Sequence, residues 1–302
     1  MNAVVLHEYG PAKNLVLEQV EALKPGPGEV LVHIQAAGVN PIDWKIRSGA
    51  MAKMFSIDFP AILGYDMAGT VQEVGENVTG FAPGDRVFAR TQHTYAEAAV
   101  AKADELAKVP EGLELITAAA IPVVATTGDQ LIREQGMVQA GQSVLLTGAL
   151  GSVGRFALFT AIESGAKVIA GVRKRQIDEA LALGAMAAID ISDEDEIARL
   201  GSLDAVCDTI GGPLVSKLLG HIKPGGTYAS IVGPPQDAAL DPTVQVKAFG
   251  SHADSKAMAH LAQAVRDGKL KLPIDLVLPL EEAAVAHAKG EKGGIGKIVL
   301  TP

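Results

Sequence analysis

Between Ser143 and Arg175 an apolar strand runs into a glycine turn, a helix and a second strand that ends in three cations, a succession that restricts the fold more than any other stretch of the chain. Val144, Leu145 and Leu146 form a short buried-strand run. Gly148-Ala149-Leu150-Gly151-Ser152-Val153-Gly154 then turns the backbone tightly enough for its N–H groups to face a pyrophosphate at the start of the next helix. Gly151 lets the phosphates come close, and Gly154 lets the helix, expected over 152–164, sit tightly on the strand. Lys167 to Gly171 is expected to be the neighbouring parallel strand. Strand, turn, helix and strand in this order predict a dinucleotide site.

The end of the second strand selects the dinucleotide. A site for NAD usually carries Asp or Glu about 20 residues beyond the turn to hold the ribose 2′-hydroxyl. Here Gly171-Val172-Arg173-Lys174-Arg175 supplies cations instead, and arginine grips phosphate in a bidentate fork. Cations at the start of the helix expected over 174–183 oppose its macrodipole, so a solvated basic turn explains them poorly. The expectation is NADP(H), with Arg173 and Arg175 on its 2′-phosphate.

A length of 302 residues suits two domains. The net charge of −9 speaks against nucleic acid as a partner, and no apolar run approaches the roughly 20 residues of a membrane helix. Met1 leads directly into Ala3-Val4-Val5-Leu6 without the basic and apolar regions of a secretory signal, so a cytoplasmic location is expected. Cys207 is the only cysteine. It stands in an apolar strand, as a small core residue would, and a single cysteine builds neither an internal disulfide nor a multi-cysteine metal site.

The first third reads as short strands separated by turn signals such as Pro25-Gly26-Pro27-Gly28 and Pro83-Gly84-Asp85, which predicts a β-rich, barrel-like domain. Its strands are expected at 3–6, 16–20, 30–37, 68–74, 85–89 and 95–100. From about Ala118 the period changes, and strands expected at 143–147, 167–171, 187–190, 204–208, 227–232 and 244–249 alternate with helical segments. The fold class is therefore α/β: a doubly wound parallel sheet beside a β-rich domain. The β-rich domain is expected over 1–118, completed by 265–302, and the cofactor domain over 119–264. The tail, with a short helix at 281–289 and a strand at 297–300, is too short to fold alone and is expected to return to the first domain. A cleft between two such domains is the default place for a substrate.

At this point the residues resemble the zinc-free quinone oxidoreductase branch of the medium-chain dehydrogenase/reductase superfamily. The resemblance spans almost the whole chain. It rests on Gly38-Val39-Asn40-Pro41-Ile42-Asp43-Trp44-Lys45, Gly64-Tyr65-Asp66-Met67-Ala68-Gly69, Pro83-Gly84-Asp85-Arg86-Val87, the glycine turn, Asp208-Thr209-Ile210-Gly211-Gly212, Lys223-Pro224-Gly225-Gly226 and Gly296-Lys297-Ile298-Val299-Leu300. It implies a GroES-like catalytic domain, a Rossmann cofactor domain, a homodimer, and NADPH-dependent reduction of quinones or activated carbon–carbon double bonds. Two departures stand out. Ala149 replaces the first glycine of the usual fingerprint, and the segment Phe249 to Asp254 matches the family less well.

Zinc-dependent relatives carry Cys where Asn40 stands and His where Tyr65 stands, so the resemblance implies no metal. The seven histidines show no paired ligand spacing either. Hydride transfer then needs a donor for the negative charge that develops on oxygen. Asn40 can donate to an enolate or to the cofactor ribose, Tyr65 can donate through its hydroxyl or wall the pocket, and Lys45 can supply charge or a proton. Each also has a plain structural role open to it: Asn40 as the turn residue before Pro41, Tyr65 as core, Lys45 as a solvated side chain. Gly148, Gly151, Ser152, Val153 and Gly154 are expected on the phosphates. By resemblance Thr127, Ile231, Val232 and Gly233 lie at the nicotinamide end, with Gly296 and Lys297 closing from the tail; on chemistry alone Thr127 equally suits a local turn hydrogen bond. Two alternatives differ in class. A catalytically weak NADPH-binding sensor or scaffold would keep the phosphate site without turnover, and an alcohol dehydrogenase would need the zinc ligands.

Overall fold

The computed structural model describes residues 1–235, 242–248, 250–294 and 296–302, which form two compact units, 1–123 with 253–302 and 124–252. Phe249, expected at the end of a strand, lies outside the described residues.

The first unit is built on a sheet whose spatial order is Ile274–Pro279, Lys297–Thr301, Glu29–Val39, Asp66–Val74, Arg86–Arg90 and Leu106–Lys108, with Ala98–Lys102 also paired to Glu29–Val39. The C-terminal strand runs antiparallel to the long strand 29–39, with Ile298 opposite Val39 and Leu300 opposite Ala37. The tail thus joins the first unit, where Leu280, Ala283, Ala286, Ile298 and Leu300 enter the same core as Val32, Ile34 and Met67. A smaller sheet, Leu15–Gln19, Asn2–Leu6 and Ala61–Ile62, completes the unit.

One short helix matters most here. Pro41–Arg47 opens with proline at its first position, where the missing N–H costs nothing, and Asn40 is its N-cap. The Asp43 carboxylate reaches back to accept the Asn40 backbone N–H at 2.7 Å. Trp44, on the same helix, lies against Gly290 of the helix Ala283–Lys292, where an added Cβ would stand 2.8 Å from the indole.

The second unit holds a six-stranded parallel sheet in the order Ala187–Asp190, Lys167–Val172, Ser143–Thr147, Leu203–Asp208, Ile222–Ser230, Gln245–Ala248. The order reverses beside Ser143–Thr147, so the carboxyl ends of 143–147 and 203–208 flank the switch point where doubly wound sheets bind ligands. Both sheet faces are covered: Val144, Leu146, Ala170 and Cys207 join one apolar cluster, Leu145, Val206 and Tyr228 the other. Cys207 is fully buried in its strand, and burial pushes its thiol up to about 12, which makes it inert as a nucleophile. The strand expected at 227–232 instead begins at Ile222, continues through Pro224-Gly225-Gly226, and ends at Ser230. The turn residues sit inside the strand as an irregularity, where its pairing with Leu203–Asp208 shifts register between Leu203 opposite Ile222 and Ala205 opposite Thr227.

Candidate functional site

In the first unit the strand end at Asp66, the cap at Asn40 and the strand start at Lys297 converge on one buried cluster. The Lys297 ammonium donates to Asn40 Oδ1 and, at 2.9 Å, to Asp66 Oδ2. The Asn40 amide donates to the same Asp66 oxygen at 2.8 Å, and Asp66 Oδ1 accepts the Val123 N–H at 2.7 Å. Asn40, Asp66 and Lys297 are 1%, 0% and 3% exposed, so the pair is far from water and each of its charges is matched by a direct partner.

A second buried cluster lies behind the helix 41–47. Tyr95 donates to Asp43 Oδ2 at 2.8 Å and stands 3.1 Å from His287 Nε2. Burial raises the Asp43 carboxyl to about 7, against the lowering pull of the Asn40 N–H and the Tyr95 hydroxyl. Burial and the nearby Arg47 guanidinium lower His287 to about 3, so its ring is neutral. Arg47 itself is anchored by Gly10 O and Glu291.

Of the residues read from the sequence, Asn40 and Lys297 meet in the first cluster. Tyr65 is half-buried, and its phenol is raised by burial and by Asp43, with Arg90 opposing. It is held as the neutral, donating form. Lys45 is exposed on the helix 41–47. Gly296 donates its N–H to Asp275 at 2.6 Å. Lys297 therefore spends its charge inside the unit, on Asn40 and Asp66.

In the second unit the turn has the conformation that an anion cradle requires. Gly148 has φ +62°, and its N–H donates to Gly171 O. An added Cβ at Gly154 would stand 2.0 Å from Gly148 O, so only glycine lets the helix Ser152–Glu163 start this close to the turn. Gly151 is that helix's N-cap, and the N–H groups of Ser152, Val153 and Gly154 form its first turn, where no intrahelical acceptor exists. Arg155 fixes the turn from behind, donating to Leu150 O at 3.1 Å and to Glu179 at 2.6 Å. Arg173 and Arg175 are exposed just after the strand Lys167–Val172. The residues present fit a nucleotide phosphate at the turn. Thr127 Oγ1 lies 3.1 Å from Ser251 Oγ, on a segment that Gln130 and Gln135 also hold by its backbone.

Ile231, Val232 and Gly233 follow the strand Ile222–Ser230, and they lead to a residue the sequence reading did not single out as part of the site. Asp208, fully buried, takes hydrogen bonds from five groups at the switch point: the hydroxyls of Thr147, Tyr228 and Ser230, at 2.6, 2.7 and 3.3 Å, and the N–H groups of Ile210 and Gly211. A signal existed: an aspartate ending the apolar run Ala205-Val206-Cys207 has to be satisfied by partners the chain brings from elsewhere. Asp66 ahead of Met67-Ala68, and the pair Tyr95 and His287, were missed for the same reason.

Models of known families match the chain in two blocks, the alcohol dehydrogenase GroES-like domain at residues 26–111 and the zinc-binding dehydrogenase at 183–300. A 2-haloacrylate reductase of Burkholderia is 31% identical, over 99% of this chain and 98% of its own. The quinone oxidoreductase of Homo sapiens is 30% identical, over 99% and 97%. Among solved structures, the quinone oxidoreductase from Coxiella burnetii superposes with a TM-score of 0.88 at 29% identity, over 100% of this chain and 99% of that one. The chain belongs to the medium-chain dehydrogenase/reductase superfamily, in its quinone oxidoreductase branch. Its β-rich unit is the GroES-like domain and its parallel-sheet unit the Rossmann domain of that superfamily.

One of the matching family descriptions names zinc, and the donor set here does not suit it. The oxygens of Asn40 and Asp66 converge on the Lys297 ammonium, and a second cation there would meet that charge. Among the described residues no group of three or more His, Cys, Asp and Glu is placed to hold a metal ion.

Proposed function

We propose that this protein is an NADPH-dependent oxidoreductase that reduces quinones or α,β-unsaturated carbonyl compounds without zinc. The observation that carries the reading is the glycine turn capped by Gly151, followed at the next strand's end by Arg173 and Arg175 in place of a carboxylate. Bound there, the dinucleotide would supply hydride from its nicotinamide ring. Gly151, Ser152, Val153 and Gly154 would hold the pyrophosphate, Arg173 and Arg175 the 2′-phosphate, and Thr127, Ile231, Val232 and Gly233 the nicotinamide end. The printed names of the relatives, a 2-haloacrylate reductase and quinone oxidoreductases, support a substrate with an electrophilic double bond conjugated to oxygen.

Asn40 is buried with its amide used on both sides, so it orders the cap and its neighbours. Tyr65 is the donor best suited to the developing negative charge, being half-buried and held protonated. Lys45, exposed on the helix 41–47, would supply charge or a proton to the same oxygen. The protein acts as a cytoplasmic homodimer in this reading. Purified protein is expected to oxidise NADPH stoichiometrically with a quinone or enone, and to do so after treatment with a strong chelator. Binding of NADPH without turnover on any of these substrates would favour the sensor or scaffold.

A further inference from the structure

Three loops leave the carboxyl edge of the parallel sheet at its switch point, after Thr147, Asp208 and Ser230, and each is tied to the Asp208 carboxylate. Thr147 Oγ1 donates to Oδ1 and also accepts the Thr209 N–H at 3.0 Å, while Thr209 Oγ1 donates to Thr147 O at 2.8 Å. Ser230 Oγ donates to Oδ2 and accepts the Val232 N–H at 3.1 Å. The Asp208 backbone adds to this, its carbonyl taking the Ile231 N–H.

The loops also fill one another's space. An added Cβ at Gly148 would stand 2.4 Å from Thr209 Oγ1, and one at Gly211 would stand 2.7 Å from Val232 Cγ2. Gly211 and Gly212 take φ of +72° and +74°, a conformation open to glycine, and Gly211 donates its N–H to both carboxylate oxygens. A carboxylate whose acceptor positions are filled by donors from two neighbouring strands and its own following loop cannot rotate without breaking several bonds at once.

From this geometry we infer that Asp208 is the positioning residue of the cofactor site: it sets, as one rigid rim, the backbone of 209–211 and 231–232. The inference rests on the dinucleotide reading above. Asp208 itself is fully buried, so it acts through the loops it holds. The phosphate cradle has its own supports in Gly154, Arg155 and the bond from Gly148 N–H to Gly171 O, whereas Asp208 holds the N–H groups of Ile210, Gly211 and Ile231 directly and those of Thr209 and Val232 through the Thr147 and Ser230 hydroxyls that donate to it. Loss of the carboxylate therefore falls on the nicotinamide half of the ligand.

The experiment compares two probes, NADPH and adenosine 2′,5′-bisphosphate, by calorimetry on the full chain and on Asp208→Asn, an isosteric change that puts an N–H₂ where three donors point. The expected result is a loss of at least 10-fold in NADPH affinity with the bisphosphate changed less than 2-fold. Ser230→Ala, which removes one donor to Asp208 together with the link to Val232, is expected to lower NADPH affinity about 3-fold with the same selectivity, and it decides the matter if Asp208→Asn does not fold. Equal losses for both probes would show a merely structural aspartate, and unchanged NADPH affinity in a folded variant would overturn the assignment. A wild-type protein that binds neither probe would instead overturn the dinucleotide reading itself.

Discussion

The two units solve the same problem, a buried aspartate at a strand terminus, in opposite ways. In the first, Asp66 is neutralised by a full charge from Lys297, 231 residues away in sequence, with Asn40 between them. In the second, Asp208 is satisfied by neutral donors, three hydroxyls and two N–H groups, and four of the five come from within 22 residues. Ion pairing across a long chain separation locks the C-terminal strand into its unit, because the pair exists only once that strand is in place. Neutral donors at a sheet edge fix loop backbone instead. The first arrangement favours a closed and unresponsive interior, the second a rigid rim at the sheet's carboxyl edge.

The sharpest way to break this contrast is to remove one charge of the pair. Asp66→Ala strands the Lys297 ammonium in the core and is expected to cost about 3–5 kcal/mol of stability. Asp66→Asn combined with Lys297→Met removes both charges and is expected to recover most of that loss, which urea unfolding of the two variants measures. If single and double variants are equally unstable, the pair is not matched in the way its geometry states.

A smaller effect is expected from the arginines that follow the strand Lys167–Val172 in the second unit. Arg173→Ala with Arg175→Ala is expected to weaken NADPH binding by about 1–3 kcal/mol per lost charge-assisted contact while NADH changes little. Equal losses for both dinucleotides would mean the arginines serve the fold. For the first unit, Tyr65→Phe is expected to lower the single-turnover rate by about 10- to 100-fold at constant NADPH affinity, and Lys45→Ala by less. A larger loss in Lys45→Ala would reverse the ranking of the two donors.

The pH dependence tests the cluster behind the helix 41–47. Asp43 is raised from 3.8 to about 7, so its contribution is fully present below pH 3.8 and is lost as pH rises toward 7. His287 is depressed from 6.5 to about 3, so the neutral ring's contribution is present above pH 6.5 and is lost as pH falls toward 3. Between about pH 4 and 6.5 the two slopes oppose, each at most about 1.4 kcal/mol per pH unit. Asp43→Asn should therefore leave a protein whose stability rises with pH over that window, and His287→Gln one whose stability falls. Thermal melts at four or five pH values read the sign directly, and the same sign in both variants would contradict it.

Much of this was legible in the chain. The strand 143–147 and the strand 187–190 fall where their apolar runs place them, and the glycine turn announces both the helix and the space it keeps. These are local signals, set by period, turn chemistry and close backbone approach. The partners of Asp66, Asp43 and Asp208 were not legible, because they come from strands and helices whose adjacency only the tertiary fold creates. Lys297 shows the limit well: its sequence context suggested a ligand contact, and the fold turns the ammonium onto Asn40 and Asp66 instead. The short helix at 41–47 was hidden inside a family motif whose proline and asparagine also suit a plain turn. Arg90, which acts electrostatically on both Asp66 and Tyr65, carries no sequence signal that separates it from any other strand-end arginine.

The most direct test of zinc-free hydride transfer from NADPH is a stopped-flow single turnover with chelator-treated protein, a quinone and an enone, run in parallel with NADPH and NADH. The expected result is full oxidation of NADPH at a rate unaffected by the chelator, with NADH slower or requiring higher concentration. Activity lost on chelation and restored by added zinc, or an equal preference for both dinucleotides, would contradict it.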